Sequence, residues 1–583
     1  VYTLSILQKG NNPQKILALK GLQSWSDSSL GKSILKVIKK GNSDVKSTAF
    51  EAIGQSRDSF YIHALLKAIQ SKKNKAIKPQ ALVALGKCIT KSKVDILLSI
   101  SDTTQLGYGE CIYRALLKGV GHKKLTNRMA CLLVGENREN RFYAAWYLSR
   151  TPYTLSSETI NPVFQILETS PGSEIMIPLL SALGKSHLNK TDSIKLRSVF
   201  LQYSLLGDYL MRVSALRAIL VSRYVWSVEE MNETLTNESF PGLQLAYSEL
   251  IAKYCKLSKK YSLMTYPVAI LNILSEKGCP SNQLVMPMTA TIYDKIWKLK
   301  LLENDYSQYP VIQNILLQDA NPAIKTAAME SLIKCTNSLG FPANLMDDFI
   351  ETASLLIKDA DPGVLSVIAN AILDKQLTLK SNYNPQNITD LFYEAKSTLQ
   401  LPRDMEAFID IEKVLAFLNK TTYKKPEAEW NNSINWNFVS KIPKDQKVQI
   451  TTNKGTFIIQ MNVDEAPGSV GAILKLVDEG YYNNKFFHRL VPNFVIQGGC
   501  PRGDGYGSLN YTIRSEFSSL KYTSGAVGLA SAGANTESCQ WFATHCPAPH
   551  LDGRYTIIGY VVKGMEIIHQ LGVGDIMLKV ERI

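Results

Sequence analysis

Long apolar runs are missing from this sequence: no stretch approaches the roughly 18 uninterrupted apolar residues that a membrane-spanning helix needs. Paired cysteine motifs are missing too. The nine cysteines, at 88, 111, 131, 255, 279, 335, 500, 539 and 546, include no CxxC, and the seven histidines do not join them at zinc-ligand spacings. Neither a structural zinc site nor a disulfide framework is therefore expected, and an odd, scattered set of thiols reads as small buried residues, mostly free. The first 400 residues hold no phosphate-cradling glycine loop, no HExxH and no Gly-x-Ser-x-Gly. The chain opens on Val1, without Met and without a charged-then-apolar leader. A processed protein would begin this way, and so would a shortened one.

What is present points to more than one domain. A chain of 583 residues is too long for a single hydrophobic core. Its 45% hydrophobic and 20% charged residues are ordinary for folded protein. The net charge of +14 is unevenly spread: from 446 onward twelve Lys and Arg face eleven Asp and Glu, leaving 53 cations against 40 anions ahead of that point. A basic region could attract nucleic acid, anionic lipid or an acidic protein. The lysine runs near 72–75, 253–260 and 420–425 are short and loop-like, however, so solvated lysines are the preferred reading and nucleic acid is not the expected partner.

The first 400 residues repeat. Leu316-Leu-Gln-Asp-Ala-Asn-Pro-Ala-Ile-Lys aligns with Leu356-Ile-Lys-Asp-Ala-Asp-Pro-Gly-Val-Leu at an offset of 40 residues. In each copy Asn321 or Asp361 suits a helix N-cap, and Pro322 or Pro362 suits the first helical position, where no backbone donor is needed. Apolar residues then recur at helical spacing, at Ile324, Ala327, Ala328 and Leu332 and at Val364, Val367, Ile368 and Ile372. A second pair, Asp44-Val-Lys-Ser-Thr-Ala-Phe and Ala76-Ile-Lys-Pro-Gln-Ala-Leu, is offset by 32. Repeats of two helices each signal an α-solenoid, in which every unit buries its apolar stripe on its neighbours. The recurring [VI]-K-x-x-A-[FLM], at Val45, Ile77 and Ile324, resembles the second helix of HEAT repeats. An all-α HEAT-like domain is thus expected over 1–419, supplying surface for partners rather than chemistry.

Residues 420–445 read as a polar connector, partly pinned by Trp430 and Trp436. From 446 the periodicity changes to strands. Residues 448–452 and 456–461 flank Asn453-Lys-Gly and predict a hairpin, and 469–480 predicts a helix. Phe486-Phe-His-Arg-Leu-Val-Pro-Asn-Phe-Val-Ile-Gln-Gly-Gly follows, then Gly528-Leu-Ala-Ser-Ala-Gly-Ala-Asn-Thr-Glu-Ser-Cys-Gln-Trp-Phe, then Leu551-Asp-Gly-Arg-Tyr-Thr-Ile-Ile-Gly-Tyr. In order and spacing these blocks resemble the cyclophilin-type peptidyl-prolyl cis-trans isomerases, whose signature is F-H-R-x-x-P-x-F-x-x-Q-G-G. The resemblance covers 446–583. It implies an eight-stranded antiparallel β-barrel with two helices, for which 469–480 and 564–571 are the candidates.

The activity implied requires little apparatus. Amide resonance raises a barrier of about 18–20 kcal/mol to rotation about X–Pro. Twisting breaks the resonance and makes the prolyl nitrogen more basic, so a donor reaching it, or the neighbouring carbonyl oxygen, favours the twisted state. No cofactor or metal is called for. The resemblance implies that Arg489 supplies that donor, as a planar, permanently charged guanidinium. It implies that Gln497 hydrogen-bonds the substrate and orients Arg489, and that His488 accompanies Arg489 in the catalytic set. Since isomerisation needs no net proton transfer, His488 reads as a hydrogen-bonded structural residue rather than an acid or base. Phe494, Val495, Phe542 and Leu551 match the apolar pocket for the proline ring, Ala530, Ser531 and Ala532 the edge on which the substrate backbone lies, and Gln540 the adjoining pocket. His550 and Tyr555 complete the substrate-binding set.

Several positions depart from the common pattern. His550 stands where many relatives have tryptophan, which should weaken cyclosporin binding more than catalysis. Ser531 replaces a frequent Asn, Cys500 replaces Asp, and Tyr555 replaces a histidine. The pairing of a HEAT-like solenoid with a C-terminal cyclophilin resembles multidomain isomerases of the Bacteroidota, which implies export to the periplasm. The expected function is isomerisation of proline-containing clients, with the solenoid docking clients or a larger secretion or outer-membrane complex. The alternative is a non-catalytic proline-binding subunit of such a complex.

Overall fold

The computed structural model describes residues 2–23, 30–71, 75–169, 171–186, 188–222, parts of 240–250, 292–303, 306–338, 340–374, 385–426 and 429–583. No helix among the described residues is long and apolar enough to cross a membrane. The chain divides into two compact units: 1–238 with 516–524 and 546–554, and 239–515 with 525–545 and 555–583. Two short stretches of the C-terminal region thus group with the first unit. Cys255 and Cys279 lie outside the described residues, and Cys88, Cys111, Cys131, Cys500 and Cys539 are free thiols.

The first unit is helical. Helices α1 (Ser43–Ser56), α2 (Lys78–Cys88), α3 (Tyr108–Leu117), α4 (Arg138–Arg150), α5 (Ser173–Gly184) and α6 (Tyr209–Val221) pack each on the next. Helices that lie between them in sequence pack on the same row; Ile62–Gln70, for example, packs on α2. Small residues permit the close approach: a Cβ on Gly86 of α2 would fall within van der Waals radii of the Cys111 backbone in α3. The two matched segments at offset 32 become successive members of this stack, with Val45 and Ile77 both buried.

The second unit joins a helical part to a barrel. Its helices include α7 (Tyr309–Gln318), α8 (Pro322–Thr336), α9 (Ala343–Asp359), α10 (Pro362–Leu373) and α11 (Met405–Leu418). The N-caps form as the sequence predicts. Asn321 Oδ1 accepts from the amides of Ala323 and Ile324, at 2.9 and 3.3 Å, and Asp361 Oδ1 from those of Gly363 and Val364, at 3.0 and 3.2 Å. Each cap satisfies donors that the first helical turn would otherwise leave open. The apolar stripes of α8 and α10 then meet in one core with Leu316, Leu356 and Ile411.

The barrel comprises β1 (Lys447–Thr452), β2 (Gly455–Met461), β3 (Lys485–Val491), β4 (Val495–Gly498), β5 (Ala526–Leu529), β6 (Trp541–Thr544), β7 (Ile557–Lys563) and β8 (Ile576–Arg582). It closes in the order β1-β2-β7-β5-β6-β4-β3-β8, every pair antiparallel. Closure leaves no exposed sheet edge. Helices α12 (Pro467–Asp478) and α13 (Met565–Gln570) accompany it, within two residues of the predicted positions. Phe457, Phe487 and Trp541 fill the interior with edge-on ring contacts.

The connector departs from expectation. Trp430 and Trp436 are 43% and 60% exposed, so neither pins it. Val439 and Ile442 do, both buried in the barrel-side core, while the backbone amides of Asn431 and Asn432 bond Thr512 O at 3.3 and 3.1 Å. Val439, on the short helix Trp436–Val439, packs against Gly471, where a Cβ would have no room. Trp436, three residues earlier, is left in solvent.

Candidate active site

Strands β3 and β4 set the site because antiparallel pairing puts Arg489 opposite Gln497. Side chains of residues directly opposite each other share a face. Arg489 Nη1 donates to Gln497 Oε1 at 3.2 Å, and its guanidinium remains exposed. Strand β6 lies beyond β4 and pairs Phe542 with Gln497. One residue before β6, Gln540 reaches the same face, and Gln497 Nε2 donates to its Oε1 at 2.9 Å. Gln540 Nε2 in turn donates to the carbonyls of Gly505 and Gly507, at 2.8 and 2.7 Å.

This chain has one consistent polarity. Backbone carbonyls only accept, so Gln540 must direct its amide nitrogen at residues 505 and 507 and its oxygen at Gln497. Gln497 must then offer its nitrogen to Gln540 and its oxygen to Arg489. The guanidinium, which only donates, ends the chain. Two glutamine side chains that could otherwise flip are thereby held, and with them the arginine.

Apolar groups stand beside the chain. Val495 and Phe542 are buried, and the Phe542 ring meets Tyr555 edge-on at 6.1 Å. Phe494 is half-buried at the turn between β3 and β4, where its amide bonds Val491 O at 2.9 Å. Asn493, at φ 59°, turns the chain there. Ala530, Ser531 and Ala532 follow β5 as a half-buried edge, and Ala530 N bonds Gln540 O at 3.0 Å, so edge and glutamine are tied together.

His488 sits behind the arginine. Burial, and then Arg489, push its imidazole down to about 3, so the ring is neutral at physiological pH. Neither ring nitrogen has a hydrogen-bond partner, so His488 is a packing neighbour of this site and not a proton donor at neutral pH.

His550 and Leu551 lie on 546–554, in the first unit. Arg150 Nη2 is 2.9 Å from His550 Nδ1, and burial, followed by Arg150, pushes that imidazole down to about 3. Leu551 is buried, its amide bonded to Ala548 O at 2.9 Å. The second unit brings together the remaining predicted residues.

Sequence reasoning overlooked the loop that ends the glutamine chain. Residues 500–507 run Cys-Pro-Arg-Gly-Asp-Gly-Tyr-Gly, with Gly503 and Gly505 at φ +77° and +91°. Both angles favour glycine. Cys500 is buried within the loop, and its Sγ accepts from Gly505 N at 3.3 Å; burial, and next Asp504, push its thiol up. The glycine density was the available signal of a tightly shaped loop.

Comparison with known proteins identifies the C-terminal region. Residues 447–581 match the family model described as cyclophilin type peptidyl-prolyl cis-trans isomerase/CLD. The chain is 43% identical over 119 residues to peptidyl-prolyl cis-trans isomerase B of Bacillus subtilis, covering 20% of this chain and 83% of that one. It is 37% identical over 134 residues to a peptidyl-prolyl cis-trans isomerase of Synechococcus elongatus, covering 23% and 92% respectively. A crystal structure of a cyclophilin type isomerase from Cryptosporidium parvum aligns over 24% of this chain and 97% of its own, at 30% identity and a TM-score of 0.23.

Proposed function

We propose, from the premise that the chain belongs through residues 447–581 to the cyclophilin-type peptidyl-prolyl cis-trans isomerases, that it isomerises X–Pro bonds of polypeptide clients docked by its helical region. The observation that carries the reading is the oriented chain from Gln540 through Gln497 to an exposed Arg489, beside the apolar Val495 and Phe542. A proline ring on the apolar side leaves its nitrogen facing the guanidinium. Arg489 then gains most as the amide twists and that nitrogen acquires a free electron pair. An interaction stronger in the twisted state than in either planar one lowers the barrier. Because the donor is already held by its own hydrogen bonds, little reorganisation accompanies the step. No proton is transferred.

The docking role is supported by the stacked helices of the first unit and by the excess of cations ahead of residue 446. Stacked helical pairs present extended surface, and cations favour acidic client segments.

Turnover of a short prolyl peptide by the full chain and by Arg489→Ala tests the catalytic part. A measurable rate that largely disappears in the variant is expected; equal, negligible rates in both would overturn the reading. For the docking part, an unfolded acidic client should compete with the short peptide, with half-inhibition moving to higher concentration as salt screens the charges. Competition that is independent of salt would remove the electrostatic docking proposal and leave the isomerase intact.

A further inference from the structure

We infer that Arg502 and Asp361 are positioning residues for the isomerase: the helical part of the second unit holds the 500–507 loop, and the loop holds the catalytic arginine through Gln540 and Gln497. The inference rests on the isomerase reading above and extends it to residues outside the barrel.

The connection is continuous. Arg502 Nη2 donates to both carboxylate oxygens of Asp361, at 2.9 and 2.8 Å, and to Asp504 Oδ2 at 2.8 Å; its Nε donates to the same Asp504 oxygen at 3.0 Å. Asp361 is the N-cap of α10, 141 residues away in sequence. Thr326, on α8, adds a donor to Asp504 Oδ2 at 3.3 Å. Asp504 Oδ1 accepts the amide of Tyr506 at 2.9 Å, and the Tyr506 ring packs on the helical core. On either side of Tyr506 stand Gly505 and Gly507, whose carbonyls receive Gln540 Nε2. From there the glutamine chain runs to Arg489.

The charges explain why the loop depends on the helices. The Asp504 side chain is fully buried, and a buried carboxylate persists only where charge and hydrogen bonds compensate its lost hydration. Its compensating cation, Arg502, is shared with Asp361. Removing Asp361's charge frees Arg502 from the helix, and removing Arg502 leaves Asp504 without its cation. In either case the carbonyls of Gly505 and Gly507 lose their fixed position. Gln540 can then turn, and the acceptor that aims Arg489 is no longer held. Displacement of about 1 Å in a positioned group costs up to about 100-fold in rate, so a partial loss of aim should cost about tenfold.

The experiment uses the full chain with Arg489→Ala, Arg502→Ala, Arg502→Lys and Asp361→Asn, assayed on a short prolyl peptide well below each protein's Tm. Asn caps helices as well as Asp does, so Asp361→Asn removes charge while sparing α10. The expected result for Arg502→Ala and Asp361→Asn is kcat lowered about tenfold with KM within about twofold, the pattern of an interaction lost only in the transition state. Arg502→Lys should recover part of the loss. The side-chain amide NMR signals of Gln540 and Gln497 should shift or broaden in both variants, a change that a remote loss of stability would not produce.

An active parent whose kcat survives Asp361→Asn and Arg502→Ala, with unmoved glutamine signals, overturns the inference and spares the isomerase reading. An inactive parent, equal to Arg489→Ala, overturns both. Should Arg502→Ala fail to fold, Asp361→Asn and Arg502→Lys still decide between these outcomes.

Discussion

Arg114 and Asp552, 438 residues apart in sequence, form a 2.7 Å ion pair in which both side chains are almost wholly buried. The same guanidinium bonds Glu110 Oε1 at 2.7 Å and the Pro549 carbonyl, and Lys521 Nζ reaches Glu110 at 2.6 Å. Asp552 Oδ1 accepts the Tyr522 amide at 2.7 Å. The stretches 516–524 and 546–554 are thereby anchored in the first unit around one arginine. Removing one partner of a buried pair leaves an uncompensated charge, at a cost of about 3–5 kcal/mol. Arg114→Ala should therefore lower the denaturant midpoint of the first unit markedly. An unchanged midpoint would mean that the network contributes nothing net.

Acid should weaken the same network. Burial opposes ionisation of Glu110, but Lys521 and Arg114 more than offset it and hold the carboxyl below its ordinary 4.5. A depressed folded-state value means stability that is fully present above pH 4.5 and lost as pH falls toward the folded value. Glu110→Gln should flatten the stability profile below pH 4.5, read by thermal unfolding across that range.

Glu537 should act in the opposite sense. It is fully buried, and burial pushes its carboxyl up to about 7 despite hydrogen bonds from Ser515 and Thr556. The folded state therefore holds a proton between about pH 4.5 and 7 that the unfolded state has released. Stability falls as pH rises through that window and levels off above it, by roughly 3 kcal/mol in all. Glu537→Gln should gain stability over the parent at pH 8 and little at pH 4.5. An equal difference at both values would remove the assignment.

On the proposed isomerase reading, Arg489→Ala should lower kcat/KM about 10²–10³-fold, the usual scale for loss of one preorganised donor. Arg489→Lys should recover little, because a point charge cannot keep the planar alignment with Gln497 while presenting a second donor to the substrate. Full recovery by lysine would show that charge alone suffices.

His488 should leave no mark on the pH–rate profile. With its imidazole at about 3, kcat/KM should show no inflection near 6.5. An inflection there that disappears in His488→Asn would overturn the neutral assignment.

The site and the fold were legible to different depths. Arg489, Gln497, Val495 and Phe542 came from the resemblance of three ordered motifs to a known family, and the structure places them on the paired strands β3, β4 and β6. The caps at Asn321 and Asp361 were legible directly, since a cap bonds amides two and three residues ahead. The tryptophans of the connector misled, since size and apolarity say that an aromatic gains from burial but not that a surface with room for it is near.

What the sequence by itself determined was thus the local and the periodic: helical pairs, barrel strands and caps, together with motifs that resemble a known family. Only the tertiary structure decided that Asp361, besides capping its helix, holds Arg502, and that Arg114 anchors Asp552. The reason is physical. A buried charge needs an opposite charge within a few ångströms, and chains of any length can satisfy that need. Sequence spacing therefore carries no trace of the partner until the fold brings the two together.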